Sequence, residues 1–100
     1  MSADETLDRA LHAIADPTRR RILKALRDGA KNAASKAEGR CLCAGEIEER
    51  IQLSQPTISH HMAILTKAGL VEASRDGQWR WYRRNEKVIR QVVKTLRGKL

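Results

Sequence analysis

One hundred residues, 41% of them hydrophobic, can bury one core and not two, so a single domain over residues 1–100 is expected. Only 3% of residues are aromatic and Phe is absent, which leaves Leu, Ile, Val and Ala to fill a mostly helical core and disfavours a β-sandwich. The net charge of +8 is uneven, since Arg75 to Leu100 holds nine Lys or Arg against two acids; such an end suits phosphate or an anionic membrane, unless it is only a solvated face.

Leu7, Leu11 and Ile14 recur at helical spacing and stop at Asp16-Pro17, which ends one helix (3–15) and opens another with Pro at its first position. The second helix offers Ile22, Leu23 and Leu26 as its buried stripe, carries Arg19, Arg20 and Arg21 in its first turns, and ends at Gly29. Residues 30–40, "AKNAASKAEGR", lack apolar anchors and read as a mobile, passive loop. "AGEIEERI" then predicts a short third helix with Ile47 and Ile51 inward and acids at its N-terminal turns.

"LSQPTISHHMAILTKAGLV", Leu53 to Val71, predicts a fourth helix capped by Ser54, opened by Gln55 and Pro56, and closed by Gly69. At 100° per residue, Ile58, Met62 and Leu65 share one side with His61 and Ala68 beside them. Pro56, Ser59, His60, Ala63 and Lys67 share the other, a small, polar and basic face. "LVEAS" and "WRWYR" around "RDGQ" predict a β-hairpin, and Val88, Ile89, Val92, Val93 and Leu96 predict a last amphipathic helix (86–98). The expected fold is mainly α with a small hairpin, in the order α-α-α-α-β-β-α.

A short helix, a tight turn and a capped helix with small polar side chains near its start form a helix-turn-helix, whose second helix enters the major groove of duplex DNA. Gln can pair bidentately with adenine, Ser with base or phosphate, and His with guanine or phosphate. The alternative is that these are ordinary surface polar residues. The hairpin adds Arg75 and Arg80 as phosphate or minor-groove contacts, with Gln78 at its tip. Trp79, Trp81 and Tyr82 mostly read as packing of this wing against the body. No nucleophile with its base, and no metal-ligand set, stands at interpretable spacing, so an enzyme is not expected.

"ADPTRRRIL", "LSQPTISHHMAILTKAGLV" and "RDGQWRWYRRN" together resemble the ArsR/SmtB family of bacterial winged helix-turn-helix repressors, over Leu7 to about Leu96. "TISHH" and "DPTRRRIL" are most similar to the SdpR-like autorepressor branch, whose members need no metal. The resemblance implies a cytoplasmic homodimer paired through its first and last helices, bound to an inverted repeat on double-stranded DNA and released by an effector. It places Gln55, Thr57, Ser59 and His60 on the DNA-reading stretch, although many members carry Arg where His60 stands. Independently, Leu7, Leu11, Ile14, Val92, Val93 and Leu96 offer more apolar face than a small domain readily covers, unless they complete the monomer core.

Cys41 and Cys43 are expected as thiols, because no apolar stretch is of membrane-spanning length and no signal peptide is evident. "RCLCAGEI" resembles the family's segment that senses arsenite or soft metals, but counted from Ser54-Gln55-Pro56 only Cys43 falls in register, and Cys41 lies two residues early. On a helix the two thiols would diverge by about 200°; only an extended segment aims both to one side. A reversible disulfide, a bound soft ion and simple packing all stay open. The family's other metal site, built from Asp and His across the C-terminal helices, is excluded: no His follows His61 and the last helix has no Asp. The effector stays undetermined: no cofactor is required, a thiol-based arsenite, soft-metal or redox sensor using Cys41 and Cys43 is one alternative, a sequence-tolerant basic nucleic-acid binder another, and a winged helix serving only protein interaction a third.

Overall fold

The computed structural model describes residues 3–32 and 41–100. Helix α1 (Ala3–Ile14) opens with Asp4 and Glu5 against its positive dipole end, and α2 (Pro17–Asn32) follows after Asp16, whose Oδ2 accepts the Arg19 backbone N–H at 3.0 Å. Strand β1 (Leu42–Cys43) leads into α3 (Ala44–Ile51) and α4 (Gln55–Lys67). Strands β2 (Val71–Asp76) and β3 (Trp79–Arg84) form the hairpin, and α5 (Glu86–Lys99) ends the chain, capped by Asn85, whose Oδ1 accepts the Val88 N–H at 3.2 Å.

The mainly helical winged helix-turn-helix is as expected, with three local differences. First, α2 does not end at Gly29. A Cβ there would lie 2.9 Å from Leu42 Cδ2 and from Arg50 Nη1, so this glycine lets β1 pack against the helix instead of capping it. The expected 30–40 loop therefore loses its first residues to α2, and residues 33–40 lie outside those described.

Second, the sheet has three antiparallel strands in the order β1-β3-β2, since Leu42 pairs with Tyr82 and Cys43 with Trp81. A two-residue strand is too short to show any alternation in sequence, and only β3 reveals it. Third, the hairpin turn is Gly77-Gln78, with Asp76 the last residue of β2. Gly77 has φ 63° and Gln78 a negative φ, the pattern of a type II′ turn, which needs glycine first.

The core runs from Leu7, Ala10 and Ala13 of α1 through Ile22 and Leu26 of α2, Ile47 and Ile51 of α3, and Ile58, Met62 and Leu65 of α4. Leu70, Val71 and Tyr82 continue it into the wing, and Val92 closes it from α5. On α1 the small residues Ala10 and Ala13 are the most deeply buried, because they allow close helix approach, while Leu11 and Ile14 are half-buried at the margin.

Candidate nucleic-acid interface

Between α3 and α4 the turn 52–54 begins at Gln52, which adopts the left-handed region (φ 65°, ψ 41°) and donates its N–H to the Glu48 carbonyl at 2.8 Å. This reversal sets α4 across α3. Ile58, Met62 and Leu65 anchor α4, each fully buried side chain contributing roughly 1.5–3 kcal/mol. Ser54 is the N-cap residue as expected, but its hydroxyl pairs with Thr57 Oγ1 at 3.0 Å instead of a backbone N–H.

Gln55, Pro56, Thr57, Ser59, His60, Ala63, Thr66 and Lys67 are all exposed on α4. The predicted reading residues Gln55, Thr57, Ser59 and His60 thus share one solvent-facing surface on a helix held by its opposite face. His61 is different: it is half-buried, and its Nδ1 lies 3.1 Å from Arg19 Nη1. Burial first, then the charges of Arg19 and His60, push the His61 imidazole below its ordinary range, against the opposing pull of Asp16.

On the wing, Arg75 and Arg80 are exposed cross-strand partners, and Gln78 is exposed at the turn. Among the described residues neither arginine makes an ion pair, whereas Glu72 and Arg83 pair across the same strands at 3.5 Å. Two opposed cations repel. An anion seated between them would relieve that repulsion, which is what a phosphate backbone supplies. Of the three aromatic residues, Tyr82 is buried and Trp81 half-buried, but Trp79 is 55% exposed beside the tip and does not pack on the body.

The triple arginine contributes differently from its sequence position. Arg19, 7% exposed, donates from Nε to the Ala13 carbonyl at 2.7 Å and from Nη2 to that of His12 at 3.3 Å. Arg20 Nη1 donates to the Ile14 carbonyl at 2.7 Å, and Arg21 Nη2 reaches the Ile51 carbonyl at 3.5 Å. Three consecutive guanidiniums therefore satisfy carbonyl ends of α1 and α3, which carry negative dipole character. Nothing in the hydrophobic pattern signals this, because arginine at a helix start reads as surface.

Cys43 ends the two-residue strand β1 and Cys41 directly precedes it. Cys43 is 8% exposed and its backbone N–H donates to Glu46 Oε1 at 2.9 Å, opening α3. Burial raises the Cys43 thiol above its ordinary range, which disfavours the thiolate a metal needs. Cys41 is half-buried, and among the described residues no group of three or more His, Cys, Asp or Glu could hold a metal ion. Among the described residues of one protomer the pair has no third ligand beside it.

Of the residues expected at a dimer interface, Leu7 and Val92 are instead buried in the protomer's own core, where α1 and α5 pack together. Leu11, Ile14 and Leu96 are half-buried, and Val93 is 54% exposed in a shallow depression lined by Ile89, Arg90, Lys94 and Arg97. Among the described residues no helix is long and apolar enough to cross a membrane.

The helix-turn-helix domain family matches residues 14–73. The chain is 38% identical over 82 residues to an uncharacterized HTH-type transcriptional regulator, MJ1325, of Methanocaldococcus jannaschii, covering 82% of this chain and 81% of that protein. It is 34% identical over 87 residues to the transcriptional repressor SdpR of Bacillus subtilis, covering 87% and 84% respectively. A solution structure from Mycobacterium bovis, a homodimeric winged helix-turn-helix DNA-binding domain described as a possible ArsR-family regulator, superposes with a TM-score of 0.70 at 25% identity, covering 95% of this chain and 79% of that one. With its helix-turn-helix and wing in place, the chain belongs to the ArsR family of winged helix-turn-helix transcriptional regulators, DNA-binding proteins and not enzymes.

Proposed function

We propose that the protein is a homodimeric, sequence-specific repressor that reads an inverted repeat with α4 and steadies itself on phosphate with the wing. The observation that carries this reading is the division of α4: Ile58, Met62 and Leu65 are buried, while Gln55, Thr57, Ser59 and His60 face solvent. A helix so anchored presents hydrogen-bonding groups in fixed register to base edges. Pairing of two protomers through α1 and α5 is supported by exposed Val93 and by the homodimeric M. bovis domain. A two-fold dimer would read half-sites about one helical turn apart. The place of action is the cytoplasm, on DNA, with no metal required for binding.

Fluorescence anisotropy tests this with a labelled duplex from upstream of the protein's own gene, random duplex as competitor, and arsenite present or absent. A specific repressor keeps its preferred duplex in excess random DNA, and Ser59→Ala or His60→Ala narrows that preference by about tenfold. Equal affinity for both duplexes at moderate salt makes the protein a sequence-tolerant binder instead. Release by arsenite alone would transfer the sensing role to Cys41 and Cys43, whose position at the short strand β1 is the one observation favouring it.

A further inference from the structure

We propose that Arg19 is a positioning residue for α4, a latch that adds to the buried anchor of the DNA-reading helix and sets its exact position while His61 is uncharged. Its effect on DNA rests on the function proposed above; the latch itself rests on geometry.

The Arg19 guanidinium is a donor at every nitrogen and carries its charge throughout the accessible pH range. Two of its nitrogens are committed to the carbonyls of Ala13 and His12, and its backbone N–H to Asp16. The third faces His61 Nδ1 at 3.1 Å, so Nδ1 must be the acceptor and the ring proton must sit on Nε2. One side chain thereby ties the C-terminal end of α1, the start of α2 and the middle of α4.

Protonating His61 turns the acceptor into a donor and sets two cations at hydrogen-bond distance. Arg19 is the more firmly held partner, through three bonds to α1 and the α1–α2 turn. The yielding element is α4, at the position next to His60 and two from Ser59. The charged groups acting on His61 are Asp16 from the turn, which favours the imidazolium, and Arg19 of α2 and His60 of α4, which oppose it. His60 itself is exposed, with its ring 5.6 Å from that of His61. The diagnostic quantity is the ratio of specific to random affinity, which cancels any change in general phosphate contact.

His61→Asn keeps an oxygen acceptor at the δ position and cannot titrate. Arg19→Lys keeps the charge but puts its donors on one nitrogen, without the planar fork that spans these three partners. Two measurements on the full chain decide the matter. In NMR without DNA, amide resonances from Ile58 to Leu65 should shift with the His61 ring as pH falls from 7.5 to well below the ordinary histidine range, and His61→Asn should hold them still. By anisotropy, the specific-to-random ratio of the wild type should fall by about tenfold over that range, stay level in His61→Asn, and be low throughout in Arg19→Lys. Thermal melts at each pH confirm that the folded form is being compared. Resonances of α4 indifferent to His61 titration, or a ratio that falls equally in wild type and His61→Asn, overturn the latch. If no duplex is preferred at pH 7.5, the DNA-reading function fails instead, and the NMR titration still decides the latch by itself.

Discussion

Arg75 and Arg80 stand directly opposite one another across the wing, one pair in from the Asp76 and Trp79 pair that flanks the turn. In a two-residue hairpin this is the closely spaced, non-hydrogen-bonded position, where side chains approach most nearly. Like charges there weaken a hairpin. An anion against them would offset that repulsion.

Arg75→Ala and Arg80→Ala should each lower affinity for specific and random duplexes alike, and reduce the slope of log affinity against log salt by about 1. Melting temperature should stay level or rise, because a repulsion is removed. Anisotropy titrations at several salt concentrations, with melts by circular dichroism, check both; a marked loss of melting temperature would mean that the pair stabilises the wing.

Gly29 lies where α2 meets β1, with Leu42 only 2.9 Å from where a Cβ would be. Gly29→Val should destabilise the fold by about 2 kcal/mol, since it would crowd Leu42, which is fully buried. Urea denaturation measures this. A stability equal to wild type would show that β1 can shift without loss.

Thiol chemistry should separate the cysteines. Burial raises the Cys43 thiol, so its thiolate is scarce near neutral pH, and in the native protein iodoacetamide should modify Cys41 well before Cys43. Mass spectrometry of the timed reaction, repeated in denaturant where both react alike, decides it. Fast modification of Cys43 in the native state would contradict its burial.

Acid should weaken the α1–α2 junction in a defined order. The Arg19 N–H lowers the Asp16 carboxyl below its usual value of 3.8, with burial opposing and the Arg19 and His61 charges assisting. A carboxyl depressed in the folded state stabilises above its unfolded value and loses that contribution as pH falls through the folded one. Asp16→Ala should therefore melt below the wild type at pH 7, with the gap closing below about pH 4. His61 is also depressed, so its contribution is present above the ordinary histidine range and fades as pH falls from about 6.5 toward the folded value. A gap for Asp16→Ala that does not change with pH would show that the carboxylate's charge plays no part.

Much of this was legible because periodic apolar spacing reports directly on helices. Ile58, Met62 and Leu65 are buried and Ser59 and His60 exposed, as their 100° spacing requires. Asp16-Pro17 marks a real helix start, since capping is a local property, whereas the Asn85 cap of α5 went unread. Gly29 and β1 were less legible: a glycine that allows close approach and a glycine that caps a helix are the same letter, and two residues cannot display a period.

The sequence by itself determined the helix faces, the position of the turn between α3 and α4, and the basic hairpin, because each depends on neighbours within a few residues. Only the tertiary structure decided that Arg19 would be buried against α4, 42 positions away at His61, that Leu7 and Val92 would belong to the protomer's core, and that Trp79 would stay in solvent. Those outcomes depend on which distant segment a side chain meets. The desolvation and hydrogen bonding that settle them belong to the contact, not to either residue alone.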